Sequence, residues 1–190
     1  MASGSIIAQT ATSGPDASDV QFMQGMIAHH AQALAMVALA GDRTTRPDLQ
    51  AIGLRIKISQ QDEIAFMQRW LRDRHQVVPL VDSAYMAHMP GMQMGSTPMP
   101  GMMMPGMMTA QQMARLAQAT GVAFDRVFLE GMIRHHEGAL SMIKDLMTTQ
   151  RGAEAPEVFT FASDADAEQR AEIQRMRSIL NELGQPGGTP

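Results

Sequence analysis

The sequence predicts an all-α protein, a four-helix bundle made of two repeated helical hairpins joined by a methionine-rich crossover. Three observations lead there. Four segments keep apolar residues at the 3.6-residue spacing of amphipathic helices. The stretch Phe22 to Met36 returns 106 residues later as Phe128 to Met142, with Phe, Gly, Met, Ile, His, His, Ala, Leu and Met in the same register. Such self-similarity marks two copies of one unit. Finally, the connections inside each half are short, as between antiparallel neighbours, and one long irregular stretch separates the halves.

Taken in order, residues 1–18 read as a disordered segment, polar from Gln9 to Ser18. Ser18 or Asp16 can cap a first helix from about Asp19, Gln21 can close a capping box, and Gly41 is the expected stop. A second helix opens near Pro47, a good first-turn residue, and keeps Ile52, Ile56, Ile64, Met67 and Leu71 at helical spacing before fading near His75. The first hairpin is thus 19–75. Residues 79–108 carry Pro and Gly at a density that no regular element survives, and they hold ten Met from Met86 to Met108. Thr109 caps a short helix over 109–120, with Gly121 as its stop. The second hairpin, 123–183, pairs a helix from about Ala123 to Thr148 with one from about Pro156 to Leu183. The last helix repeats the second, since Gln60-Gln-Asp-Glu63-Ile64-Ala-Phe-Met67 aligns with Gln169-Arg-Ala-Glu172-Ile173-Gln-Arg-Met176. Residues 19–183 therefore form the bundle, and 184–190 read as a disordered tail.

Composition narrows the function. The 190-residue chain has net charge −4, with 13 Arg, only 2 Lys and no long basic run, which argues against nucleic acid. No apolar run approaches a membrane span. The absence of Cys excludes disulfides and thiolate sites, and it suits an oxidising compartment in which a metal protein uses His and Met. Met1 to Ser5 shows neither a charged n-region nor an apolar h-region. Two locations stay open on the residues alone: the cytosol, or the outside after removal of a signal. There are 20 Met, far above ordinary usage.

At about 100° per residue, His29 and His30 flank the centre of the apolar stripe of Phe22, Met26, Ala33 and Val37. His135 and His136 do the same beside Phe128, Met132, Ala139 and Ile143. A buried imidazole needs partners for both ring nitrogens. One such His reads as a core residue bonded to a carboxylate or a carbonyl. Two adjacent His, repeated, each with Met one turn earlier, point to metal. Adjacent His diverge on a helix, so each pair splits between two ions, or one ring faces inward and the other a neighbouring helix. Met23, Met36, Met142, Met67 and Met176 add candidate sulfur ligands, although core packing is the ordinary role of any one buried Met. The crossover offers Met86, His88, Met89, Met92 and Met94 as a second, flexible binding element; the alternative is a low-complexity linker. Thioether and imidazole select Cu(I), and by the same argument Ag(I), while imidazole alone also serves Cu(II), Zn(II) and Ni(II). Carboxylates are scarce on the His faces, which argues against Mg, Ca and Mn. Protons are expected to displace the metal from the histidines as pH falls through roughly 6.5.

The two Phe-x-x-x-Met-Ile-x-His-His-x-x-Ala-Leu-x-Met stretches, with the two Gln-x-x-Glu-Ile-x-x-Met stretches, resemble the domain of unknown function 305 family. That family includes CopM-like copper-binding proteins of the bacterial cell envelope. The resemblance covers Asp19 to Leu183. It implies a ferritin-like bundle, a periplasmic or extracellular location, and copper or silver handling alongside another copper-handling protein of the envelope. Carried onto this chain, the implied ligands are Met26, His29, His30, Met132, His135 and His136. A ferritin-type di-iron site needs Glu-x-x-His pairs, and none occurs here.

Three functional classes follow. The first is a copper-binding protein that sequesters or relays metal for resistance or homeostasis, without catalysis. The second is a metalloenzyme such as a copper or di-metal oxidase, for which no nucleophile, base or oxyanion donor set is evident. The third is a haem bundle with His/Met axial ligation, against which the doubled His-His speaks.

Overall fold

The structure is a computed structural model, and it describes residues 14–80 and 104–184. Among these residues the chain forms five helices and no strand. Residues 1–13, 81–103 and 185–190 lie outside the described residues. They take in most of the expected disordered ends and most of the crossover, with Met86, His88, Met89, Met92 and Met94.

Helix α1, Ala17–Ala38, begins two residues before the expected Asp19, because Asp16 is the cap: its side chain accepts from Ser18 N at 2.8 Å. It also stops before Gly41, at Ala38. Helix α2, Pro47–Asp73, takes Pro in its first turn. It closes through His75 in the left-handed region, with Gln76 N donating to Leu71 O. Helix α3, Ala110–Gln118, carries the capping box of Thr109 and Gln112. Helix α4, Gly121–Thr148, starts at Gly121 itself, whose φ of 56° and N–H to Arg43 O at 2.7 Å turn the chain into the helix. Gly121 therefore opens α4 where the sequence suggested a stop for α3. Helix α5 is Pro156–Gly184.

The four long helices pack in a ring: α1 on α2, α2 on α5, α5 on α4 and α4 on α1, with α3 laid on α4. Their apolar faces meet in two separate clusters. One joins Met36, Ile56, Phe124, Phe128, Met132, Ile173 and Met176. The other joins Met23, Met26, Ile64, Met67, Trp70, Ile143 and Phe161. Each cluster takes one end of every long helix. The residues halfway along are polar and buried: His29, His30, Gln32, Gln60, His135, His136, Gln169 and Glu172. A polar layer thus divides the interior.

One contact ties the ring at its end. Asp19 is fully buried, and its carboxylate accepts from Ala153 N at 2.6 Å and Ala155 N at 3.0 Å. It thereby holds the α4–α5 turn, where Arg151 and Ala153 sit at positive φ. Asp19→Ala leaves both N–H groups without an acceptor. It is expected to cost about 2 kcal/mol, read as a lower urea midpoint at unchanged slope.

Candidate metal centre

The polar layer is organised around two facing rings. His29 of α1 and His135 of α4 lie with ring centroids 3.8 Å apart and planes at 38°. His29 Nε2 donates to Pro105 O at 3.0 Å, and His135 Nε2 donates to His29 O at 3.0 Å. A carbonyl oxygen only accepts, so in both rings the proton sits on Nε2. The neighbouring histidines turn outward. His30 Nε2 meets Glu63 Oε2 of α2, and His136 Nε2 meets Glu172 Oε2 of α5 at 2.7 Å. This is the second arrangement the helical geometry allowed, with one ring inward and one toward a neighbouring helix.

These two carboxylates correct an expectation. Acidic residues are scarce on the His helices themselves, but Glu63 and Glu172 arrive from α2 and α5. Their Gln-x-x-Glu motifs were visible in the sequence, but the pairing was not, since nothing within one helix shows which partner it faces. The two pairs differ in solvent access. Glu172 is sealed, with Arg55 Nε 3.7 Å from its other oxygen. Glu63 borders an open groove of about 550 Å³ between α2 and α5, beside Asp62, Phe66, Phe161 and Asp164.

Burial sets the protonation of the inner rings. It pushes His29 down to about 3, helped by the nearby His30, and it holds His135 well below the ordinary value, with His29 adding to the effect. The expected weakening of metal binding near pH 6.5 therefore does not apply to these two rings, which stay neutral far below that pH. A neutral ring with its proton on Nε2 has its lone pair on Nδ1. In all four histidines Nδ1 is buried and has no hydrogen-bond partner. Such nitrogens suit a borderline metal ion, and a carboxylate or carbonyl behind the imidazole is the usual support of a metal-bound His. Among the described residues no three His, Asp or Glu side chains converge on one point. Further ligands must therefore come from other donors, of which thioether sulfur is the soft one at hand.

Sulfur is close by. Met26, Met23 and Met67 lie fully buried in one apolar cluster; Met132, Met36 and Met176 lie fully buried in the other. Met142 is half-buried on α4. The end of the Met86–Met108 run brings further sulfurs to the bundle, Met104, Met107 and Met108. Residues 104–109 lie across α1 and α4 as a strap. Gln32 grips it twice, donating from Nε2 to Met108 O at 2.8 Å and accepting from Met108 N at 2.7 Å. Gly106, at φ 77°, lies so close to α4 that a Cβ there would fall 2.2 Å from Arg134 O. A Cβ on Gly138 would fall 1.9 Å from Pro105 O. Both glycines are needed for the strap to reach His29. The flexible-loop expectation thus fails for the strap, where buried polar groups and glycine contacts fix the backbone.

A search of curated proteins finds no match. A DUF305 fragment from Deinococcus radiodurans is similar at 29% identity, over 89% of this chain and 99% of that one, with a TM-score of 0.70. A DUF305 protein from Streptomyces coelicolor is similar at 25% identity, over 91% and 96%, with a TM-score of 0.71. The Cu(I)-bound form of CopM is similar at 26% identity, over 88% and 98%, with a TM-score of 0.64, and CopM also has Cu(II)-bound and silver-bound forms. The model of the domain of unknown function DUF305 matches residues 19–187, and the chain belongs to that family.

Proposed function

We propose that this protein binds copper, as Cu(I) and Cu(II), and silver by the same chemistry, and that it holds or passes on the ion without chemical turnover. The observation that carries the reading is the set of four buried imidazoles whose Nε2–H groups are engaged and whose Nδ1 atoms are left free. The copper-bound and silver-bound forms of the similar CopM support it. In this reading the long helices form a ferritin-like four-helix bundle of two repeated hairpins. His29, His30, His135 and His136 hold the ion together with Met26 and Met132, and the Met-rich crossover supplies further sulfur. We place the protein in the periplasm or outside the cell, where a cysteine-free His/Met site cannot be lost to disulfide formation, with another copper-handling protein as its partner. A haem bundle fits poorly, because the close contact of His29 and His135 leaves no slot for a macrocycle between them.

Metal analysis of the protein from copper-fed cells tests the reading directly; copper at or below background would overturn it. His29→Ala combined with His135→Ala is expected to weaken Cu(II) binding by at least about 100-fold, the upper end of what loss of a mere supporting residue causes. Isothermal titration would measure this.

The inner rings also set a pH dependence for the metal-free protein. Their pKa is lowered on folding, so below about 6.5 the unfolded chain takes up protons that the folded one refuses. Stability is complete above that pH and declines as pH falls below it, toward about 3 for His29, with His135 acting in the same direction. Urea unfolding at pH 7.5 and 5 should show the decline, and a His29→Gln, His135→Gln variant should flatten it.

A further inference from the structure

The 106-residue offset also relates Gly25 to Gly131 and Met36 to Met142. Each glycine faces the methionine of the other helix. A methyl group added at Gly25 would lie 3.4 Å from Met142 Cε and 3.7 Å from Met104 Sδ. One added at Gly131 would lie 3.3 Å from both Met36 Cε and Met108 Sδ. Each pair of thioether ends, one from a helix and one from the strap, thus borders the space that a single methyl group would fill.

The two places differ in one respect. At Gly131 the space is taken, since Met108 Cε lies 2.1 Å from the added methyl position, and both sulfurs are buried. At Gly25 the contacts are ordinary van der Waals distances, and Met104 and Met142 are only half-buried. Space for a methyl-sized group and partial exposure of both methionines therefore coincide at Gly25. Gly25 lies one turn before His29, and Met142 lies two turns after His135, so the place adjoins the paired rings.

We propose that Met104 and Met142 form a soft-metal site over Gly25, for a monovalent d10 ion, Cu(I) or Ag(I). Two thioethers are neutral and soft, so they bind such an ion without releasing a proton and discriminate against Cu(II). The strap contacts at Gln32 and His29 hold Met104 near its partner, which lowers the ordering cost of closing two sulfurs on one ion. The site rests on the copper-binding reading above and names an access-side position within it.

The probe is Ag(I), titrated into the full chain labelled at the methionine methyls, with Met104 and Met142 assigned from single Leu variants. Both resonances are expected to move together at the same silver equivalent. Met104→Leu with Met142→Leu should bind one silver ion fewer while Cu(II) affinity and the melting temperature hold. Gly25→Ala, whose methyl fits at ordinary distances, should fold normally and lose the same ion. Unmoved resonances, or unchanged silver stoichiometry in either variant, would overturn the site while leaving copper binding by the wild type intact. A wild type that binds neither silver nor copper would overturn both readings.

Discussion

A neutral imidazole has one proton to give and one lone pair, and in this interior the proton is always engaged. His29 gives it to Pro105, His135 to the backbone of His29, and the outer two rings meet Glu63 and Glu172. Much of the rest follows from that constraint. The strap must cross α1 to bring a carbonyl to His29. Gly106 and Gly138 must lack side chains for it to arrive. Helices α2 and α5 must present a Glu at mid-length, and Arg55 must stand near the sealed one, because a buried carboxylate needs compensation.

The strap also breaks the symmetry of the repeat. Position 32 in the first half is Gln, which grips Met108; its counterpart in the second half is Gly138, which admits Pro105. A single strand of chain cannot cross two equivalent places alike. The repeat differs at this position, Gln32 against Gly138, while the histidines, their carboxylates and the Gly25/Gly131 pair keep their pattern.

Legibility in the sequence followed the range of the interaction. Helical spacing, the Asp16 and Thr109 caps and burial of both His pairs depend on neighbours a few residues away, and all were readable. The facing of His29 and His135, the Glu partners and the grip of Gln32 span 33 to 106 residues. No local pattern encodes such a distance. The Glu residues stood in plain view in the repeated Gln-x-x-Glu motif, yet their role required knowing which helices touch. The strap was obscured for another reason: Pro and Gly signal irregular backbone, and irregular backbone can still be firmly held. Asp19 is a buried acid at the start of α1, and the N–H groups its carboxylate accepts from lie in a turn more than 130 residues on.

The division of the interior into two apolar clusters has a consequence for how the chain comes together. Each cluster is assembled from one end of all four long helices, so neither belongs to a contiguous piece of sequence. A fragment ending before the strap would own half of each cluster and complete neither. Folding must therefore wait for both halves of the chain, and cooperativity reaches across the whole molecule. Were the backbone cut between Leu80 and Met104, the two pieces would behave as partners in a complementation pair, each unstable alone and restored by the other.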